Sequence, residues 1–531
     1  MSTRRSLRTR GWRAAALLPA ALLLPGVGCM GAVRAPAAPV PAARPEPTPP
    51  PMTLAPALTT RQRLQQALDS VLAAPMWRNA RWGVLVVDPV AGDTLVSHDA
   101  DRLFMPASNQ KLLTGAIAVE QLGPDYRWRT PVLLHGRQRE SRWVGTLQVA
   151  GSGDPSVSDA LQGGDAHRAF APVVAALAAR GITRVSGDIL AVGDAFPGLT
   201  IGYGWAYDDF DEPYSAAVDE LLFNEGVHTV WVWGGRRAGA RVRAERRPTA
   251  SYPSLTVRAT TRARGGAGAG LQLAHDSTGT QLLLTGTIPA GDSARLTVAY
   301  RHPNDAYRAA LREALEAAGI TVEAKPLARR DTAGQAADTL VVLESPPLAQ
   351  VLPRVQKPSQ NQLAELLFRT SGLVASGSGS ADSARAVGQR TLAAWGVTAA
   401  DAAYRDGSGL SRHDYVTPRA VVKVLDAMRR HAAFDLFRQA LPLAGVDGTI
   451  ANRLKGTAAE GNAQAKTGTL DKARALSGYV VAADGRLALF SLLANNFTVP
   501  NREVEKVQDL LVRLLAELPL EDRVATSGRP R

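Results

Sequence analysis

Three short motifs carry the hydroxyl and amine groups that could perform covalent chemistry. They are Ser108-Asn-Gln-Lys111, Ser359-Gln-Asn361 and Lys466-Thr-Gly-Thr469, and they occur in that order. A serine hydroxyl becomes a nucleophile when a neighbouring base takes its proton. Lysine can be that base when burial holds it uncharged, whereas arginine stays protonated. Only eight of the 61 lysines and arginines are lysines, so a lysine in two of the three motifs predicts chemistry.

The helix predicted to carry Ser108 is apolar on every side, because residues 112–119 are nearly all apolar. Such a helix is expected to be buried. Ser108 and Lys111 are three residues apart, which places both side chains on one helix face. Pro106 favours a helix start just before them. The amide groups at that start could stabilise an oxyanion. A solvated Lys111 would not fit so apolar a helix.

The other two motifs are ambiguous when each is taken alone. Ser359-Gln-Asn361 could simply cap a helix, and Lys466-Thr-Gly-Thr469 could lead a strand into a turn. Competing nucleophile systems are missing from the sequence, which has neither a Gly-x-Ser-x-Gly elbow nor a His-Glu-x-x-His zinc motif. His413-Asp414 is interpreted as a loop pair. No metal site and no cofactor are expected.

Two stretches of the chain, 59–136 and 346–520, are expected to form one catalytic domain. Thr59 or Thr60 can cap a first helix, and Trp82–Asp88 and Thr94–Ser97 read as a hairpin. Near the other end, residues 463–494 read as three strands and Asn501–Glu517 as a helix. These patterns predict an α/β (α+β) fold, an antiparallel sheet flanked by helices. Residues 137–345, with short strands and glycine-rich loops, are expected to be an inserted accessory region.

The N-terminus has the features of an export signal. Five arginines precede a short apolar run, and the only cysteine of the chain, Cys29, follows it. Residues 1–29 are therefore predicted to be a leader. Cleavage near this point or lipid attachment to Cys29 are the two interpretations, and a lipid would tether the protein to a membrane. Residues 30–58 are proline- and alanine-rich and predict a spacer. Residues 521–531 are predicted to be a mobile tail.

The formal charge of +13 falls to about +8 without the leader arginines, and we expect the surplus to be spread along the chain. Such a surplus fits weak attraction to anionic envelope polymers or lipid surfaces. No nucleic-acid motif accompanies it, so nucleic acid is not an expected partner.

With these motifs, the chain resembles the penicillin-binding protein 4 type D-alanyl-D-alanine carboxypeptidases. About 250 residues separate Lys111 from Ser359, as in that class. Further similar stretches are Gly151-Ser-Gly-Asp-Pro155, the segment from Trp205 to Asn224, Asp406-Gly-Ser-Gly-Leu-Ser-Arg412, Ala444-Gly-Val-Asp-Gly-Thr449 and the segment from Lys466 to Gly478. The resemblance covers roughly residues 60–518. Gln360 departs from the Asp or Asn that is common in the family.

The resemblance implies a β-lactamase-like transpeptidase fold that cleaves terminal D-Ala from peptidoglycan stem peptides, often with endopeptidase action, and is acylated by β-lactams. Ser108 would be the nucleophile and Lys111 its base, neutral through burial and through the charge of Lys466. Which group is the acylation base is an open question in related enzymes.

The remaining roles follow from the same resemblance. Ser359 would relay a proton to the leaving amine, Asn361 would orient the substrate amide, and Lys466, Thr467, Gly468 and Thr469 would bind the terminal carboxylate. The alternatives are a serine β-lactamase, suggested by Glu220-Leu-Leu-Phe-Asn224, and a non-catalytic scaffold that binds peptidoglycan.

Overall fold

The computed structural model describes residues 58–265, 268–324 and 336–521. The predicted leader with Cys29, all but the last residue of the predicted spacer, and residues 522–531 of the predicted tail lie outside this part of the chain. The helices of the described part are α1 Thr60–Leu72, α2 Gln110–Leu122, α3 Ala171–Ala179, α4 Pro303–Ala317, α5 Leu348–Gln356, α6 Asn361–Ser376, α7 Ala381–Ala394, α8 Pro418–Arg430, α9 Phe434–Ala440 and α10 Asn501–Glu517.

Strands lie both before and after the long run of central helices. Those of the first part are β1 Arg81–Asp88, β2 Asp93–His98, β3 Arg129–Arg139, β4 Arg142–Ala150, β5 Arg184–Ser186, β6 Ile189–Val192, β7 Val227–Trp233, β8 Arg243–Arg247, β9 Ser254–Val257, β10 Thr260–Arg262, β11 Gly270–His275, β12 Gln281–Pro289, β13 Ser293–Ala299, β14 Thr321–Glu323 and β15 Asp338–Glu344. Those of the second part are β16 Ala402–Ala403, β17 Tyr415–Val416, β18 Gln464–Leu470, β19 Ala473–Val481 and β20 Leu487–Asn495.

One antiparallel sheet joins the two ends of the described chain, in the order β18-β19-β20-β1-β2. Its first hairpin forms as the sequence predicts, with Val86 opposite Val96. Strand β1 then pairs with β20, and Arg81 lies opposite Asn495. This pairing of residues more than 400 positions apart confirms the α/β fold with an antiparallel sheet flanked by helices.

Helix α1 begins with the capping box that Thr59 was expected to provide. The Thr59 hydroxyl accepts from the Gln62 amide at 3.2 Å, and the Gln62 side chain accepts from the Thr59 amide at 2.9 Å. Leu64 and Leu68 of α1 are fully buried. They belong to an apolar cluster that also contains residues of β20 and α10, so the first helix is held against the sheet.

Helix α2 lies in the largest apolar cluster, as its nearly all-apolar sequence from residue 112 to 119 predicts. Every residue from Gln110 to Val119 is buried. Its neighbours α5, α6 and α8 contribute Leu352, Leu366 and Leu425 to the same cluster. The turn directly before α2 is therefore attached to a buried, well-packed helix and does not belong to a free surface loop.

Three further sheets are built from residues 129–344. One has the order β14-β5-β4-β3-β15 with β6 beside β4, one has the order β13-β7-β8, and one has the order β10-β12-β11 with β9 beside β12. Strand β3 already begins at Arg129, eight residues before the start expected for the insert. The division into a catalytic part and an insert stays a prediction. No described helix combines the length and the apolar character needed to cross a membrane.

Candidate active site

A short 3₁₀ turn, Ala107–Asn109, carries Ser108 directly before α2. Ala107 has a φ of +48°, in the left-handed region. Gly409 packs so closely on this turn that a Cβ there would overlap the Ala107 carbonyl oxygen. The sequence analysis expected Ser108 at the helix N-terminus, and the structure places it one 3₁₀ turn earlier, on a tightly held backbone.

The Lys111 amine has three neighbours within hydrogen-bonding distance. Its Nζ lies 3.0 Å from Ser108 Oγ, 2.6 Å from Asn361 Oδ1 and 2.6 Å from the Ser408 carbonyl oxygen. The two carbonyl-type oxygens can only accept, so they take two N–H hydrogens. A neutral amine then directs its lone pair toward Ser108, the one neighbour that can donate. This arrangement suits an amine that removes the serine proton.

Burial also favours the neutral form of Lys111. It lowers the pKa of the amine to about 7, although the carboxyl groups of Asp406, Glu365 and Asp414 act in the opposite direction. Desolvation is the larger effect because the side chain is fully buried. A base with a pKa near neutrality can exchange a proton at physiological pH.

The three acidic residues around Lys111 form a cluster that the sequence analysis missed. Glu365 on α6 accepts from the amides of Gly407 and Ser408 at 3.0 and 2.8 Å. Asp406 accepts from the amide of Gly409 at 2.7 Å. These bonds shape the loop that presents the Ser408 carbonyl to Lys111. Burial and neighbouring acids raise the pKa of Glu365 to about 7.

Asp414 belongs to the same cluster. Its Oδ1 accepts from the Arg405 amide at 2.6 Å, and burial, together with Asp406, raises its pKa well above the ordinary value. Asp414 therefore fixes a loop, in agreement with the interpretation of His413-Asp414 as a loop pair.

Ser359 and Asn361 stand where the loop after α5 enters α6. Ser359 has a φ of +65°, and its hydroxyl lies 2.8 Å from Lys466 Nζ. Asn361 contacts Lys111 with its oxygen, while its amide nitrogen donates to the Tyr214 carbonyl at 2.7 Å. The second motif thus bridges the two lysines, one residue to each.

Lys466 reaches the site from β18 and is fully buried. Burial lowers its pKa well below the ordinary value, and the nearby Lys111 acts in the same direction. The sequence analysis expected a charged Lys466 that keeps Lys111 neutral. The structure instead disfavours charge on both amines, because burial acts on each of them. A substrate carboxylate would supply the negative charge that raises the Lys466 pKa.

Strand β18 lies against the Ser108 turn because Gly468 has no side chain. A Cβ at Gly468 would overlap the Pro106 carbonyl oxygen. Asn109 fixes the same contact, since its side chain donates to the Lys466 carbonyl at 2.8 Å. Of the predicted carboxylate-binding residues, Thr469 lines the cavity beside Ser108. Thr467 instead donates to the Thr449 hydroxyl at 2.7 Å.

Ser108, Ser359 and Asn361 open into a cavity of about 470 Å³. Its lining residues are Ser108, Asp209, Tyr214, Ser359, Asn361, Gly409, Leu410, Arg412, Thr469, Leu470, Asp471, Arg474 and Asn501. Two arginines among them suit a substrate with a carboxylate. Tyr214 comes from the predicted insert. Tyr214 and Ser408 make their contacts through backbone carbonyl oxygens, which every residue has, so their side-chain types could not predict these contacts.

Glu220, the residue that suggested a β-lactamase, does not line this cavity. Its side chain packs on Gly151, and burial, with the neighbouring Asp219, raises its pKa to about 8. A larger cavity of about 740 Å³ shares no lining residue with the site and is lined by residues such as His167, Arg247 and Glu313.

Comparison with known proteins shows the family to which the chain belongs. Residues 64–518 match the model of the D-Ala-D-Ala carboxypeptidase 3 (S13) family. A D-alanyl-D-alanine carboxypeptidase of Actinomadura sp. is 34% identical over 470 residues, which cover 86% of this chain and 84% of that protein. The D-alanyl-D-alanine carboxypeptidase DacB of Haemophilus influenzae is 26% identical over 437 residues, 79% of this chain and 86% of that one.

A solved structure shares the fold. The crystal structure of penicillin binding protein 4 from Haemophilus influenzae superimposes with a TM-score of 0.71 at 22% identity, covering 85% of this chain and 99% of that one. The family model spans most of the chain, and a relative at 34% identity spans most of both proteins. The chain therefore belongs to the D-Ala-D-Ala carboxypeptidase 3 (S13) family of serine peptidases.

Proposed function

We propose that this D-Ala-D-Ala carboxypeptidase acts through an acyl-enzyme on Ser108. The observation that carries the proposal is the Lys111 amine, which lies 3.0 Å from Ser108 Oγ while two acceptor oxygens hold its hydrogens. Lys111 removes the hydroxyl proton as Ser108 Oγ forms a bond to the carbonyl carbon of the penultimate D-Ala of a stem peptide. Backbone amides of Ser108 and Thr469 stabilise the oxyanion.

The second half of the reaction uses the pair Ser359 and Lys466. The bond between the carbonyl carbon and the terminal D-Ala nitrogen breaks, and the leaving amine takes the proton of the Ser359 hydroxyl, which the Lys466 ammonium replaces. Lys466 carries this proton because the substrate carboxylate raises its pKa. Asn361 holds Lys111 in place and orients the substrate amide. Water then attacks the ester carbonyl carbon and gives its proton to the Lys466 amine through Ser359, while the Lys111 ammonium returns its proton to Ser108 Oγ as the shortened peptide leaves. Lys466, Thr467, Gly468 and Thr469 form the strand that receives the terminal carboxylate.

Endopeptidase action requires no different chemistry. In a cross-linked peptidoglycan the amine attached to the D-Ala carbonyl belongs to a second stem peptide, and the same bond is broken. Arg412, Arg474 and Tyr214 are among the residues that line the cavity of about 470 Å³ in which either leaving amine would be released. β-Lactams acylate Ser108 because their ring carbonyl presents the same electrophile. The Haemophilus influenzae protein has been solved in complex with a β-lactam.

The decisive experiment is the intact mass of the purified protein after incubation with penicillin, followed by peptide mapping. We expect one stable adduct on Ser108 and release of D-Ala from a D-Ala-D-Ala peptide. Ser108→Ala should remove the adduct and lower turnover by three or more powers of ten, while Ser70→Ala, an exposed serine on α1, should leave both unchanged. Rapid penicillin turnover would indicate a β-lactamase, and an adduct elsewhere would refute the assignment.

The enzyme works outside the cytoplasm on peptidoglycan, and the proposal includes export by residues 1–29 and lipid attachment at Cys29. Metabolic labelling with an alkyne-bearing fatty acid should mark the wild-type protein and not Cys29→Ser. Unmarked wild-type protein recovered in a soluble extracellular or periplasmic fraction would contradict lipid attachment and leave export intact.

A further inference from the structure

The sheet β13-β7-β8 has one apolar face and one face rich in tryptophan and arginine. Val230 and Val232 of β7 are fully buried and pack with Leu284 and Ile288 of β12. Since side chains alternate along a strand, Trp231 and Trp233 point to the opposite side of the sheet. Both tryptophans are half-buried. The face that they share is not the one that closes the apolar core.

Arginines flank both tryptophans across the strands. Arg295 of β13 lies opposite Trp231, and Arg243 of β8 lies opposite Trp233. The Arg243 guanidinium is 4.0 Å from the centre of the Trp233 ring, and those of Arg247 and Arg295 are 5.9 and 6.0 Å from that of Trp231. The two rings are nearly parallel, at 17°, with centres 6.3 Å apart. We call these five residues the tryptophan–arginine face.

The charges of this face are available to a ligand. Arg247 and Arg295 are exposed, and neither forms an ion pair with a described residue, whereas Arg243 contacts Glu245. Residues 236–264 hold nine arginines and a single acidic residue, Glu245. The positive charge is thus more concentrated here than the sequence analysis expected. Ring contacts orient the guanidinium groups, and such groups bind carboxylates through two parallel hydrogen bonds.

The tryptophan–arginine face is connected to the catalytic cavity by backbone. Strand β13 continues from Arg295 to Ala299, a span of about 13 Å at 3.3 Å per residue. The Ala299 amide donates to the Asp211 carbonyl at 3.2 Å. Asp211 is three residues before Tyr214, which lines the cavity beside Ser108. The strand that carries Arg295 is therefore hydrogen-bonded to the segment that brings Tyr214 to the cavity.

We propose that the tryptophan–arginine face binds the peptidoglycan polymer through the carboxylates of its stem peptides, while another stem peptide of the same polymer occupies the Ser108 cavity. The inference rests on the proposed function for the identity of the polymer. Tryptophan and arginine are the residue types that contribute most to binding energy at interfaces. Half-buried rings flanked by guanidinium groups suit a flat, anionic, hydrated strand better than insertion into a bilayer.

Co-sedimentation of the full chain with purified sacculi tests the proposal. We expect Arg247→Gln/Arg295→Gln to bind about tenfold more weakly than the wild type, as two lost exposed ion pairs would give. The matched control, Arg78→Gln/Arg390→Gln, removes the same charge from two other exposed positions and should bind like the wild type. Sacculi whose carboxylates have been amidated should bind the wild type as weakly as untreated sacculi bind the face variant.

Two activity readouts separate this inference from the proposed function. Penicillin labelling and cleavage of a soluble D-Ala-D-Ala peptide should be unchanged in the face variant, whereas hydrolysis of sacculi should fall. A variant that binds sacculi as tightly as the control would overturn the inference. So would wild-type binding only to anionic lipid vesicles or single-stranded DNA. A protein that binds sacculi through the face but takes no penicillin would refute the proposed function alone.

Discussion

Lysine is rare in this chain, and two of its eight copies contact the hydroxyls of Ser108 and Ser359, which line one cavity. Both lysines are fully buried and both have acceptor or hydroxyl oxygens at hydrogen-bonding distance. An arginine at either position would stay charged and would need five N–H partners. The rarity of lysine elsewhere made these positions recognisable in the sequence, and their burial explains why arginine cannot replace them.

The pH dependence of acylation should follow the Lys111 amine. Its pKa is lowered to about 7, and only the neutral form can take the Ser108 proton. The neutral fraction grows about tenfold between pH 6 and pH 8. The rate constant for penicillin acylation, measured by stopped-flow fluorescence, should rise by that factor and level off above pH 8.

Lys111→Arg provides the control for this prediction. The variant keeps a cation at the site but cannot lose its proton, so it should show no acylation at any of these pH values. A wild-type rate that is flat from pH 6 to 8, or that falls, would contradict Lys111 as the base.

At the scale of elements, the site depends on strand β18 lying directly on the turn before α2. Gly468 permits this approach, because a Cβ there would overlap the Pro106 carbonyl oxygen. Gly409 does the same from the other side, against Ala107. Two glycines from distant segments therefore allow close packing on the Ser108 turn, Gly468 from strand β18 and Gly409 from the loop that contains Ser408.

Gly468→Ala should push β18 away from the turn by a fraction of an ångström to an ångström. A shift of that size costs about a hundredfold in rate when reacting groups are misplaced. The second-order rate constant for penicillin acylation should fall by about this factor, while the melting temperature shows that the variant remains folded. Gly270→Ala is the control, since a Cβ added there would meet no atom within 4 Å. An unchanged rate in Gly468→Ala would show that the close approach is not needed.

At the scale of the molecule, the sequence was informative where side chains or periodicity carry the signal. The three motifs, the buried helix α2 and the last three strands were predicted from residue type and spacing. The loop of Ser408 was not, because Glu365, Asp406 and Asp414 act on backbone amides from separate segments without a shared pattern. The contribution of Tyr214 was hidden for the same reason, since its carbonyl makes the contact.

Residues of the predicted insert also hold the segment of Asp211 and Tyr214, and Tyr214 lines the cavity beside Ser108. Asp211 is held by His275, whose Nδ1 lies 2.9 Å away, and by two bonds from Arg301 at 2.9 and 2.8 Å. Three residues later, the Tyr214 carbonyl oxygen accepts a hydrogen bond from the Asn361 side chain, and Asn361 in turn contacts the Lys111 amine. Asp211→Ala should lower the acylation rate about three- to tenfold at a temperature where the protein stays folded, because loss of these bonds loosens the segment.

Asp208→Ala is the control for this change, since Asp208 is exposed in the same segment. Asp211→Asn keeps an acceptor oxygen and should restore part of the rate, which a purely global loss of stability would not predict. Equal rates in Asp211→Ala and Asp208→Ala would contradict the connection.

The pairing of β1 with β20 sets when activity can arise during synthesis. Strand β1 leaves the ribosome early together with its first partner β2, yet its second partner, β20, begins only at Leu487. Lys466 follows Ser108 by more than 350 residues. Closing so long a loop is slow, and contacts of this range form late in folding. In a nascent or truncated chain that ends before β20, β1 pairs only with β2, and β18 and β19 have no strand that joins them to β1. The peptidase activity can therefore appear only after almost the whole polypeptide has been synthesised.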